Sequence, residues 1–123
     1  MIYLASPYSH SDAGIREQRY HDACQAATRL LQSGQPVFAP IVHGHPLVGC
    51  GLPTDWSFWG RICRHYLEAC QQVVVLMLNG WEQSIGVRAE IEIATSLEKP
   101  VWYWAPFGPC LPTLAHVPQE ASI

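Results

Sequence analysis

Glu90 is the residue hardest to assign to a purely structural role. With successive helical residues set about 100° apart, Gly86, Val87, Ile91, Ile93, Ala94 and Leu97 span one broad apolar arc. Glu90 falls near the middle of that arc, while Arg88 and Glu92 point away from it. A carboxylate facing a core costs desolvation unless it is paired or borders a cavity. On geometry alone, a structural partner such as Arg or Tyr and a catalytic role are evenly matched explanations. Gly86 lies one turn earlier on the same face, and its missing side chain leaves room for a ligand above the carboxyl. Ser84, at the start of the helix, can cap free backbone N–H groups or share them with an anion, as helix N-termini do in phosphate sites.

Other candidate motifs carry less chemistry. His43-Gly44-His45 matches no zinc spacing, and the cysteines supply no C-x-x-C partner, so no metal is expected. A contact to a base or phosphate, or a structural role, suits these histidines better. Ser84-Ile85-Gly86 is no nucleophile elbow, because Glu82 stands where G-x-S-x-G requires glycine. No G-x-G-x-x-G follows the first apolar run, so no dinucleotide cofactor is expected, and none of another kind is implied. Arg16 and Arg19 could reach a phosphate, though solvated surface charge is their default. Trp56, Trp59, Trp81, Trp102 and Trp104 suit core or interface packing, with some available to stack on a base.

These groups need a frame. Residues 2–5 are a short apolar run broken at Ser6-Pro7, as expected of a buried strand entering a loop. Residues 12–33 repeat apolar positions at helical spacing through Ala23, Cys24, Ala27, Leu30 and Leu31, with Gly34 as the stop. Residues 36–41 suggest a second strand. The glycines and prolines of residues 40–57 predict a long functional loop. Phe58, Trp59, Ile62, Cys63, Tyr66, Leu67 and Cys70 form a helical stripe, and residues 73–78 an unalternating strand covered on both faces. A turn at Asn79-Gly80-Trp81, the helix of Glu90 and a strand over residues 100–104 complete the pattern; the proline-rich residues 105–123 suggest surface coil. Strands alternating with helices predict an α/β three-layer sandwich, a small flavodoxin- or Rossmann-like parallel sheet of four or five strands. Ligands in such sheets sit beyond the carboxyl ends of the strands at the topological switch point. That rule nominates residues 6–12 and 79–86.

A chain of 123 residues makes one domain, 1–123, and its 49% hydrophobic and 14% charged content excludes global disorder. The formal charge of −3 supplies no basic field, so nucleic acid is not an expected partner. No apolar run is long enough to span a bilayer, and no membrane partner is expected. Five scattered cysteines (Cys24, Cys50, Cys63, Cys70 and Cys110) suit reduced thiols in a cytoplasmic protein. A domain this small often completes its burial as a homodimer or higher homo-oligomer.

Three segments carry a family resemblance: Tyr3-Leu4-Ala5-Ser6-Pro7-Tyr8; Val37-Phe38-Ala39-Pro40-Ile41 with His43 and His45; and residues 80–91, containing Trp81 and an S-x-G-x-x-x-E stretch. Together they resemble the nucleoside 2-deoxyribosyltransferase superfamily, and most of all a short branch of unknown function. The resemblance runs over residues 1–104. It implies cleavage of the N-glycosidic bond of a nucleoside or nucleoside 5′-monophosphate, with the sugar passed to another base or to water. It assigns Glu90 as nucleophile, Tyr3 as the group positioning it, and Ser84 as an anchor for the 5′-end of the substrate. The remaining matched residues, Ser6, Pro7, Tyr8, His43, His45, Trp81 and Gly86, become expected substrate contacts.

The chain also departs from that pattern. An acid expected near the base on the second helix is Cys63, and an aspartate expected before the third strand is Gln71. Departure of a base is easier when an acid protonates it, and a buried thiol replaces a carboxylic acid poorly. Asp55 could supply the acid if its loop folds over the cleft. The expected function is therefore an N-glycosidase or deoxyribosyltransferase acting through Glu90, with a non-catalytic nucleotide or nucleotide-sugar module and a tryptophan-rich interaction domain as rivals.

Overall fold

The computed structural model describes residues 1–105, so the proline-rich tail and Cys110 lie outside the described residues. Four strands, β1 (Ile2–Ala5), β2 (Val37–Phe38), β3 (Gln72–Leu76) and β4 (Val101–Trp104), form one all-parallel sheet in the order β2-β1-β3-β4. Four helices connect them: α1 (Ala13–Gln32), α2 (Pro40–Gly49), α3 (Trp56–Ala69) and α4 (Ile85–Ser96).

The period of two along each strand divides the core between the sheet's faces. Ile2, Leu4, Val74, Leu76, Trp102 and Trp104 pack on α1 through Ala26, Ala27 and Leu30. Tyr3, Ala5, Val73, Val75 and Val101 face the other way, onto Cys63 and Leu67 of α3 and Val87 and Ala94 of α4. Both faces are covered, which is why β1 and β3 are apolar without alternation.

Local signals set the ends of α1. Asp12 caps it by accepting from the Gly14 N–H at 2.7 Å. Gly34, at φ +97°, turns the chain out after the helix, where any side chain would be strained.

Two expectations need correction. The second strand is only Val37–Phe38, and the long loop expected over residues 40–57 is largely the helix α2. Pro40 sits at the first turn of that helix, where its missing N–H costs nothing. Gly44 is a packing glycine, because a Cβ there would lie 3.3 Å from the Trp59 ring. Composition alone does not separate such a glycine from a turn glycine. The remaining loop is residues 50–55, with Gly51 at φ +117°.

Candidate functional site

The chain leaves β1 toward β2 on one side of the sheet and returns to β3 on the other, so the switch point lies between β1 and β3. A cavity of about 370 Å³ opens there. It lies between the segment after β1, the start of α4, and α2 with α3. Both nominated segments reach it.

Glu90 lies in the cavity wall with 4% of its surface exposed. Tyr3, fully buried in the middle of β1, donates its hydroxyl proton to Glu90 Oε2. Among the described residues no ion pair reaches Glu90. Burial therefore dominates, pushing its pKa up to about 8, while the Tyr3 hydrogen bond opposes the shift. The Tyr3 phenol is itself held well above its ordinary range, first by burial and then by the Glu90 charge. Cys63 stands beside both on α3, its thiol pushed up to about 12 by burial and by Glu90.

The α4 N-terminus faces the same space. Ser84 caps it, its Oγ accepting from the Val87 N–H at 3.2 Å. The N–H groups of Ile85 and Gly86 lie in the first turn of α4, outside its internal hydrogen-bond ladder, and both residues border the cavity. Across from them, the Ser6 hydroxyl is buried and without a hydrogen-bond partner among the described residues. Polar atoms so placed normally find a partner in a ligand or water.

Other predicted site residues are distributed unevenly. Tyr8 and His45 line the cavity and hydrogen-bond each other at 2.6 Å. Pro7 is fully buried behind the wall, His43 is exposed and tilts against Phe38, and Trp81 packs on Tyr103; none of the three borders the cavity. Asp55 does border it, as the residue preceding α3. Its carboxyl accepts from the Ser57 hydroxyl, which holds its pKa below the usual carboxylate range. The structure thus brings Asp55 to the cavity, where the Ser57 hydrogen bond favours its carboxylate over the neutral acid that a proton donor needs.

Arg16 and Arg19 are half-buried and neither borders the cavity, although the Arg16 guanidinium lies beside the Tyr8 hydroxyl. Arg16 donates to the His10 carbonyl, and Arg19 to the carbonyls of Ser9 at 3.0 Å and Asn79 at 3.1 Å, tying together the segments after β1 and β3. The glycine at position 80, at φ +91°, makes room for this clamp, because a Cβ would lie 2.7 Å from the Arg19 guanidinium.

Trp56, one of the tryptophans expected in core, interface or base stacking, opens α3. Its ring lines the cavity and is wedged between two glycines, with Cβ positions 3.0 Å away at Gly60 and 3.4 Å away at Gly86. The room expected above Glu90 at Gly86 is thus taken up in part by Trp56. The available sequence signal was Gly60, one turn after Trp56 on the same helical face.

A family model described as a domain of unknown function (DUF1937) matches residues 1–106. The chain belongs to that family. Among curated proteins, none matches it. No helix of the described residues is long and apolar enough to cross a membrane. Cys24, Cys50, Cys63 and Cys70 are free thiols.

Proposed function

We propose that this DUF1937 protein binds a nucleoside or nucleoside 5′-monophosphate in the cleft and cleaves its N-glycosidic bond, with Glu90 as nucleophile. The observation that carries this reading is the Tyr3–Glu90 pair: a carboxyl buried in a cavity wall, oriented by a hydroxyl and neutralised by no described cation. The resemblance of the S-x-G-x-x-x-E stretch to the deoxyribosyltransferase superfamily supports it independently.

The chemistry uses these parts in order. The α4 N-terminus, with Ser84 and the unpartnered Ser6 hydroxyl, holds the phosphate or the sugar 5′-end. As the C–N bond lengthens, positive charge grows on the sugar, and a carboxylate against it is favoured far more than in the empty cleft. Glu90 attacks the anomeric carbon and the base leaves with the bonding electrons. Water then opens the glycosyl ester and restores the carboxylate; a second base in its place would give transfer. Hydrolysis is the simpler outcome.

Cys63 favours a second reading. A thiol pushed up to about 12 does not protonate a leaving base, as the acid expected there would. On that reading the cleft binds a nucleotide or nucleotide-sugar without turnover. Release of free base from ribo- and deoxyribonucleosides and their 5′-monophosphates, followed by chromatography for the parent and Glu90→Gln, separates the two. Base release abolished by the substitution supports the glycosidase. Nucleotide-dependent thermal stabilisation without release supports the binding module.

A further inference from the structure

We propose that Tyr8, backed by His45 and Glu17, is the proton donor that releases the base, an assignment that rests on the glycosidase reading above. The three side chains come from separate elements, the segment after β1, α2 and α1, and form one hydrogen-bonded chain. Tyr8 Oη lies 2.6 Å from His45 Nδ1, and His45 Nε2 lies 2.8 Å from Glu17 Oε1. Tyr20 stacks on the imidazole with ring centroids 4.3 Å apart, which fixes its plane. Tyr8 and His45 border the cavity, and Glu17 closes the chain on the solvent side.

The donor pattern follows from the carboxylate. Glu17 only accepts, so His45 donates to it from Nε2. In the neutral ring Nδ1 then accepts the Tyr8 proton, and the phenol presents only lone pairs to the cleft. In the protonated ring Nδ1–H donates to Tyr8, and the phenolic O–H is free to turn toward a bound base. Glu17 also meets His21 at 3.1 Å, so its carboxyl joins two imidazoles at the solvent end of the chain. Arg16 is the charge opposing the effect of burial on Tyr8. Burial raises the Tyr8 pKa, so the phenol gives up its proton only with the imidazolium behind it.

The step balances. Glu90 forms a bond to the anomeric carbon, the C–N bond breaks, and its electron pair goes to the base nitrogen. That nitrogen takes the phenolic proton of Tyr8, while the Nδ1 proton of His45 moves to the Tyr8 oxygen, leaving neutral His45 bonded to Glu17. When water opens the glycosyl ester, its proton returns through Tyr8 to His45. The other ionisable groups bordering the cavity do not serve: Asp55 is held ionised, Cys63 holds its proton too tightly, and Glu90 is the nucleophile.

The test compares two leaving groups on one sugar. The first is the nucleoside 5′-monophosphate that releases base fastest; the second is the nitrophenyl glycoside of the same sugar 5-phosphate, whose phenolate leaves without a proton. Tyr8→Phe should lower kcat on the nucleotide about 100-fold, with a loss on the nitrophenyl substrate about tenfold smaller or less. Glu17→Gln, a change at an exposed side chain, should produce the same imbalance at lower amplitude and keeps the test alive if Tyr8→Phe does not fold. Equal losses on both substrates, or no loss on the nucleotide, overturn the assignment while the parent's turnover sustains the glycosidase. A parent protein inert toward both substrates overturns the glycosidase reading and this one with it.

Discussion

The Tyr3 hydroxyl donates to Glu90 across 87 positions of sequence, joining the middle of the sheet to the second turn of α4. The hydroxyl favours the charged carboxylate, while the apolar surroundings favour the neutral acid, and burial dominates. The pair is therefore placed to respond to whatever positive charge enters the cleft.

The raised Glu90 pKa makes the empty protein less stable as pH rises. Between the ordinary glutamate value near 4.5 and the folded value near 8, the native state holds a proton that the unfolded chain has lost. Stability therefore falls with rising pH across that window and levels off above it, at about 1.4 kcal/mol for each unit of difference. Glu90→Gln should melt higher than the parent at pH 8.5 and differ little at pH 4.5. Thermal melts across that range check this; parallel curves for the two proteins would show that Glu90 titrates normally.

Tyr3→Phe keeps the ring and removes the hydrogen bond. Without that donor the Glu90 pKa should rise further, so the alkaline-rising limb of kcat/KM moves to higher pH. Near neutral pH, turnover should fall about tenfold or more, the range for a hydrogen bond to a charged group. A pH–rate profile separates this from simple loss of fold, which would lower activity at every pH alike.

Much of this site was legible because Glu90 breaks a pattern: an acidic residue on an apolar arc of period 3.6 is visible without any tertiary contact. Tyr3 was not legible that way, since a tyrosine in a buried strand looks like core until its partner is placed. The helix α2 was obscured because Pro40 and Gly44 are loop residues by composition and helix residues by context. The Tyr8–His45–Glu17 chain joins three elements, so no local window contains it.

Gly60 and Gly86 should differ sharply when changed to alanine. At Gly60 the new Cβ would stand 3.0 Å from Trp56 Cε2 and Nε1, tight enough that the indole, itself packed against Gly86, must give by a few tenths of an ångström. Overpacking of this kind costs roughly 1–3 kcal/mol, and the displaced ring would reshape the cavity wall. At Gly86 the nearest atom is 3.4 Å away, an ordinary contact, and the effect on stability should stay small. Chemical denaturation with nucleotide titration checks both; equal effects at the two positions would mean that Trp56 is not seated as described.

Ser6→Ala should weaken binding while leaving the stability of the empty protein nearly unchanged. The Ser6 hydroxyl borders the cavity with 6% exposure and makes no hydrogen bond to another described residue, so no described contact of the fold depends on it. Removing the oxygen should leave the empty protein as stable as before, within about 1 kcal/mol. If the hydroxyl bonds the phosphate or sugar of a bound nucleotide, the same change should weaken binding about tenfold. Melting curves of the empty protein and calorimetric titration with the nucleotide selected by the turnover panel read the two effects separately. Unchanged stability with unchanged affinity would place Ser6 outside the ligand's reach and leave the α4 N-terminus as its anchor. A loss in both would mean that the hydroxyl serves the fold, and that the bound nucleotide does not account for its burial.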